Sequence, residues 1–405
     1  MKNKKNTRIS SVYTRRTFLA TIATTAGAIA LAACNIKNEK KSGKDPEVRK
    51  ITPPRLDTAY LGQQILCYRP MRRGSPNMSI ETIGDKIIAH NYGHGGSGWT
   101  LGPGSAKYVV DLAEASSNAK STSRTAPVNV IGAGVMGLFT AYELTLRGYT
   151  NITVMASSFD GLTSHNAGGL LAPVSMDNNP SMQPVIDRIG IDAYRFYSDV
   201  ATGKQPHFSS GALIMPAYFE NRSESGLEPY VGKVMQPAKD VVLDFGNGTK
   251  RNMVSYDDGI FMDTAIMMQS LNDYLKDKVK FEQRKVERYS DLSSSLIFDC
   301  SGLGAGSLNG DKDMVSVQGH LIMLRDQVPA HLQSMILVYF PKGKTTSGQE
   351  VKRSFYIFPK QLPGSTVNDI GVVGGTFIEG ATPETPNLEE FDLLVSNAKR
   401  FYGIS

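Results

Sequence analysis

The stretch VNVIGAGVMGLFTAYELTLRGYTNITVM, residues 128–155, reads in three pieces. Val128-Asn129-Val130-Ile131 is a short apolar run, as expected of a strand buried on both faces. Leu138 to Arg147 carries apolar residues at helical spacing, and Asn151 to Met155 is a second strand. Between them lies Gly132-Ala133-Gly134-Val135-Met136-Gly137, a G-x-G-x-x-G in the strand–loop–helix setting that the motif requires. Gly132 allows the tight turn, Gly134 lets the backbone approach a pyrophosphate, and Gly137 lets helix and strand pack closely. Val135 and Met136 open the helix, whose first N–H groups and positive dipole end face the phosphates. The fold class is therefore α/β with a Rossmann-like dinucleotide-binding domain.

One element departs from the pattern. The second strand of such a unit commonly ends on an acid that holds the ribose hydroxyls. Here the candidates are Ala156, Ser157 and Ser158. Ser157 still offers a hydrogen bond, without the charge-assisted strength of a carboxylate.

Such a fingerprint normally opens a domain, yet 127 residues precede it. Ile65 to Arg73 reads as a strand entering a basic turn, and Lys86 to Asn91 as another strand. YGHGGSGWT, residues 92–100, is a glycine-rich turn, followed by helical spacing over Ser105–Ala115. This repeats the strand–glycine loop–helix arrangement and suggests a second cradle for an anion or a flavin.

The N-terminus reads as an address. Lys2, Lys4, Lys5, Arg8, Arg15 and Arg16 lie within residues 1–33, which hold no acid. They account for the whole net charge of +6, so the rest of the chain is neutral and gives no support for a nucleic-acid partner. Arg15-Arg16 before Thr17-Phe18-Leu19 resembles a twin-arginine export signal over residues 1–33. Leu31-Ala32-Ala33-Cys34 resembles a bacterial lipobox, with Cys34 the lipidated residue, which would anchor the protein to a membrane of the cell envelope. Residues 34–60 read as the lipidated Cys and a flexible tether, the stretch to about Pro54 being rich in Lys, Glu, Ser and Pro. Three cysteines exclude a disulfide scaffold and a Cys-rich zinc module, and no metal site is expected. Cys67 and Cys300 lie in apolar contexts and read as buried thiols.

YGHGGSGWT, preceded by a strand and an RPxR turn, resembles the C-terminal FAD-binding segment of the D-amino-acid oxidase family. VNVIGAGVMGL resembles that family's first strand and phosphate loop. Thr163, Ser164, Gly169 and Leu170 fall in what resembles its flavin-edge loop. FEQRKVERYSDL (281–292) and LIFDCSGLGAGSL (296–308) resemble the strand pair and loop that close on the cofactor. The match covers about residues 61–402 in rotated order, with the family's last segment first and residues 116–127 as the joining linker. Circular permutation accounts for this, and a fragment of a tandem repeat is the competing reading.

The resemblance implies FAD as cofactor and a second domain whose mixed sheet roofs it. Residues 61–115, 128–175, 255–311 and the C-terminal portion would build the FAD-binding domain. Residues 176–254 and 312–405 would supply the substrate domain and a C-terminal helix. By the same resemblance Arg69 clamps the substrate carboxylate and Tyr356 adds a hydrogen bond to it. Gly96 would receive the substrate amine on its backbone carbonyl. Val286, Ser301 and Gly302 would meet the cofactor, and Gly95, Gly98, Trp99 and Thr100 would line the flavin edge. The family's lid tyrosine is not matched. Lys352 stands in its place, Tyr339 is a candidate replacement, and a cation there would favour acidic substrates. His94, His165 and His320 read as structural. The implied reaction is oxidative deamination of a D-amino acid, with O2 or another electron acceptor. Glycine or N-methyl amino acids, a dehydrogenase, and a degenerate amino-acid-binding lipoprotein remain alternatives.

Overall fold

Val128–Ile131 is buried at every residue, in the middle of a six-stranded sheet. A computed structural model describes residues 45–116, 123–361, 366 and 368–405. The twin-arginine motif, Cys34 and residues 117–122 of the 116–127 linker lie outside the described residues. Pro46–Ser405 forms one compact unit.

The sheet runs in the order Lys280–Gln283, Ile152–Ala156, Val128–Ile131, Leu296–Asp299, Lys86–His90, Ile80–Ile83. The first five strands are parallel and the last is antiparallel. Lys86–His90, which precedes the fingerprint in sequence, thus pairs with Leu296–Asp299 on the side away from Val128–Ile131. One face buries Val128, Val130, Leu296 and Phe298 in the main core with the helices Gly98–Ala115 and Val135–Leu146. The other buries Ile131, Met155 and Ile297 against Val286, Tyr289 and Leu292. Apolar cover on both faces is why these strands read as unbroken apolar runs.

The helix Gly98–Ala115 begins seven residues before the expected Ser105. Gly102, Pro103 and Gly104 suggest a turn by composition, yet all three are helical. A Cβ at Gly104 would collide with the backbone of Ile189, so the glycine permits close packing of Gly98–Ala115 on the helix Gln183–Ala201. Pro103 has no N–H to give the carbonyl of Trp99 four residues back. That carbonyl accepts instead from the Tyr197 hydroxyl at 2.9 Å.

The second sheet has ten strands and is mixed. Its path is Glu47–Lys50, Lys239–Asp244, Lys250–Tyr256, Ala217–Phe219, Met335–Tyr339, Glu350–Gln361, Ile370–Glu379, Met314–Leu324, Leu61–Arg72. Gly343–Lys344 pairs beside Glu350–Gln361. Two expectations are corrected here. The tether does not reach residue 60: Glu47–Lys50 is a strand parallel to Lys239–Asp244, and Leu56 is buried. Leu61–Arg72 belongs to this larger sheet, antiparallel to Met314–Leu324, and not to the dinucleotide-binding sheet. The C-terminal helix Glu389–Tyr402 also packs here, with Phe401 and Tyr402 against Phe355 and Phe245. Met215–Pro216 separates the strands Ala212–Ile214 and Ala217–Phe219. Ala212–Ile214 pairs with Ile260–Met262 in a separate two-stranded sheet.

Candidate active site

The phosphate loop turns where its glycines leave room. Gly132 has φ +108°, and a Cβ there would run into the Cys300 carbonyl. A Cβ on Gly137 would run into the Gly132 carbonyl, so this glycine serves helix–strand packing and does not face the cavity. At the start of the helix the Val135 N–H donates to Ser164 Oγ at 3.0 Å. Trp99 Nε1 donates to the Ser164 carbonyl at 2.9 Å, and Thr163 Oγ1 to the Tyr68 carbonyl at 3.0 Å. The 163–170 loop is thereby tied to the larger sheet and to the helices Gly98–Ala115 and Val135–Leu146.

Leu296–Asp299 ends on a buried fastener. Asp299 Oδ1 accepts from the Ser301 N–H at 3.0 Å and from Ser301 Oγ at 2.6 Å. Its Oδ2 accepts from the Tyr289 hydroxyl at 2.7 Å. Asp299 thus sets the Ser301–Gly302 turn, a role sequence reasoning missed although the acid directly precedes Cys300-Ser301-Gly302.

Arg69 comes from the edge strand Leu61–Arg72, opposite Val317. Its Nη1 donates to the Thr376 carbonyl at 2.8 Å, and its guanidinium lies against Gly319, where a Cβ would overlap it. Thr376 is held in turn: its Oγ1 lies 2.6 Å from His320 Nδ1, and His320 Nε2 lies 2.9 Å from the Pro386 carbonyl. His320 therefore acts on the site only through Thr376. Tyr356 stacks on Phe358 at 4.8 Å and 8°, and its ring occupies the space that Cβ atoms on Gly374 and Gly375 would take. Burial pushes its hydroxyl up to about 12, with the nearby Arg69 opposing the shift. The Gly96 N–H donates to the Ser175 carbonyl at 2.8 Å, and a Cβ on Gly96 would meet Ser175 Cβ at 2.7 Å.

These residues line one cavity of about 570 Å³ between the two sheets. It gathers Arg69, Tyr356 and Gly96 with Gly132, Gly134, Val135, Met136, Ser157, Thr163, Ser164, Gly169, Leu170, Val286, Ser301, Gly302, Gly95, Gly98 and Trp99. Thr100 is not among them. The early helix start turns it away, and its Oγ1 donates to the Ala172 carbonyl at 3.0 Å. Tyr339 and Lys352 line the cavity, as do Arg284 and Lys285, which sequence reasoning passed over. No aspartate or glutamate belongs to the lining among the described residues. His94 does belong to it, and burial pushes its imidazole down to about 3, so it stays neutral. Its Nε2 lies 3.0 Å from Ser105 Oγ, while Nδ1 is buried without a protein partner. His165 is not in the lining.

A dinucleotide cofactor fits this lining. The glycine cradle leaves the helix N-terminus open to phosphates, and the orphaned His94 nitrogen sits in the wall that the glycine-rich 92–98 turn builds. Ser157 lines the cavity beside Arg284 and Lys285, and its hydroxyl would be available to a ribose.

Residues 128–404 match the model of the FAD dependent oxidoreductase family, DAO. Among solved structures, glycine oxidase from Bacillus cereus is similar at 15% identity and TM-score 0.48, covering 68% of this chain and 79% of that one. Glycine oxidase from Geobacillus kaustophilus is similar at 16% and 0.47, covering 69% and 80%. L-proline dehydrogenase from P. horikoshii is similar at 13% and 0.44, covering 68% and 78%. Likenesses of this degree speak to neither substrate nor electron acceptor. The family match spans the phosphate loop, the part of the cofactor-facing lining from residue 128 onward and most of the larger sheet, and by it the chain belongs to the FAD-dependent oxidoreductases.

Proposed function

We propose that the enzyme oxidatively deaminates D-amino acids. The observation that carries this reading is the meeting of Arg69, Tyr356 and Gly96 in one acid-free cavity with the cofactor cradle. Bound FAD would supply the two-electron acceptor for the αC hydride, with O2, giving hydrogen peroxide, or another compound as the final acceptor. The chain's own residues position the substrate. The Arg69 fork takes the carboxylate, with the Tyr356 hydroxyl as a second donor. Tyr356 remains a neutral donor at physiological pH because burial raises its hydroxyl to about 12. The amine would meet the Gly96 carbonyl. With cations and no carboxylate in the lining, a bound ammonium is disfavoured, so the amine is held neutral with its lone pair free to assist hydride loss. The product imino acid hydrolyses to an oxo acid and ammonia.

Anaerobic addition of D-alanine, D-aspartate, glycine, sarcosine and the L-forms to the FAD-loaded protein tests the reading. Bleaching of the flavin band by D-forms supports it. Equal bleaching by L-forms refutes the stereochemistry, and bleaching by none refutes amino-acid oxidation.

The same reading extends to placement. Cys34 would be lipidated after twin-arginine export, leaving the folded body on the envelope side of a bacterial membrane. Cys34→Ser should then release the protein to the soluble fraction. The rotated segment order reads as circular permutation. Lys86–His90 extends the parallel sheet beyond Leu296–Asp299, although it lies before the fingerprint and before the start of the family match at residue 128.

A further inference from the structure

We infer that the substrate carries a second anionic group, a side-chain carboxylate, and that Lys352 recognises it. This rests on the proposed amino-acid oxidation and names its substrate class. Along Glu350–Gln361, Lys352, Arg353, Ser354, Tyr356 and Phe358 line the cavity, while Phe355 and Ile357 face the opposite core. Lys352 therefore shares the cavity wall with the tyrosine assigned to the substrate. It pairs across the sheet with Phe377, another lining residue, and its Nζ lies 4.9 Å from that ring's centroid.

An exposed lysine is ordinarily a solvated charge. Here the charge balance around it is uneven. Arg353, next along the strand, is already neutralised by buried Glu390 through contacts of 2.8 Å and 2.6 Å. Arg69 is assigned to the α-carboxylate. At the other end of the cavity, Lys285 pairs with Glu287 at 2.9 Å and Arg284 lies 3.8 Å from Glu282. Lys352 alone among these cations has neither an acidic partner among the described residues nor a role toward the α-carboxylate. Among the described residues, the lining itself offers no acid. A neutral side chain bound beside Lys352 would strip water from an uncompensated ammonium, whereas a carboxylate would replace that water with a counter-charge. For a partly exposed pair, this discrimination amounts to about tenfold.

The test compares D-aspartate with D-asparagine, and D-glutamate with D-glutamine, by the anaerobic rate of flavin reduction over concentration. At least one acid should exceed its amide about tenfold, Lys352→Gln should bring that ratio near one, and Lys352→Arg should largely preserve it. A wild-type ratio of one or less for both pairs overturns the inference while leaving amino-acid oxidation standing. If no amino acid reduces the flavin, the proposed function fails, and the charge inference is still decided by equilibrium binding. Succinate and propionate, titrated against the visible spectrum of the bound FAD, differ only by the second carboxylate. Tighter succinate binding that Lys352→Gln abolishes supports the inference, and equal binding overturns it.

Discussion

Gly319→Ala is the sharpest perturbation of the carboxylate clamp, because it moves Arg69 without removing it. Gly319 lies on Met314–Leu324, opposite Cys67. Its φ lies outside the left-handed region, so alanine fits the backbone. The new Cβ would stand 2.6 Å from Arg69 Cζ and 2.8 Å from Nη1, against a comfortable contact of about 3.5–4.0 Å. The guanidinium must retreat by about 1 Å, and in doing so it strains its 2.8 Å bond to the Thr376 carbonyl. Misplacement by about 1 Å costs on the order of 100-fold in a positioned reaction, or about 2.7 kcal/mol. The assay is anaerobic flavin reduction over a range of D-amino acid concentrations, with FAD affinity and Tm measured on the same preparation. We expect kcat/KM to fall by about 30- to 100-fold while FAD affinity holds, since Gly319 is not part of the cavity lining. Arg69→Lys, which loses the planar fork, should lose at least as much. A Gly319→Ala enzyme that keeps kcat/KM within about twofold, with Arg69→Lys equally active, would refute the assignment of Arg69.

Ser157→Glu restores a carboxylate at the end of Ile152–Ala156, beside Arg284 and Lys285 in the same lining. FAD should then bind the apoprotein about fivefold more tightly by calorimetric titration, the worth of about 1 kcal/mol from a charge-assisted bond. Unchanged or weaker binding would mean that the ribose is held elsewhere. Asp299→Ala strips the acceptor from the Ser301 N–H, Ser301 Oγ and the Tyr289 hydroxyl, and should cost about 2–4 kcal/mol in urea unfolding together with weaker FAD binding. A loss below about 0.5 kcal/mol would show that the turn does not depend on it. Lys360 is 1% exposed, donating to the His165 carbonyl at 3.0 Å and Thr264 Oγ1 at 2.5 Å, and burial pushes its ammonium down to about 8. Below pH 8 the charged lysine carries a constant penalty. Between about 8 and 10.5 the unfolded chain binds more protons than the folded one, so stability rises with pH. Relative to Lys360→Met, the wild type should gain about 2–4 kcal/mol from pH 7 to pH 10.5, and a flat difference would contradict the buried ammonium.

What could be read in the sequence was what short-range rules dictate. A parallel strand buried on both faces must be continuously apolar, so Val128–Ile131 and Ile152–Ala156 were visible. The backbone cradle at Gly132 and Gly134 was equally visible, because close approach to a phosphate demands glycine within one turn. Elements decided by distant partners were misread. Glu47–Lys50 is a polar tetrapeptide whose only reason to be a strand is Lys239–Asp244, some 190 residues away. The start of Gly98–Ala115 was obscured because glycines 102 and 104 resemble a turn. Their actual cause is the proximity of Phe139 and Ile189, which no local rule reveals. Thr100 was misplaced with it. Asp299 escaped notice because its work is done by three hydrogen bonds that exist only once the strand is in the sheet.

The charge of the lining is likewise a property of the assembly. The chain holds 38 acidic residues, yet none reaches the cavity among the described residues. At the cofactor end this is what a pyrophosphate demands. At the substrate end the same absence separates two kinds of site. A protein that merely binds amino acids meets a zwitterion, and gains most by setting a carboxylate against the ammonium and a guanidinium against the carboxylate. Arg69 provides the second of these, and none of the described residues provides the first. Hydride loss from the α-carbon reverses the requirement: the nitrogen must keep its lone pair, so a carboxylate stabilising the ammonium would hold the substrate in its unreactive form. A cation-rich wall pays for its poorer grip on the zwitterion with a larger share of reactive amine. The acid-free lining therefore favours an oxidase or dehydrogenase over a degenerate binding lipoprotein, by the protonation state it selects.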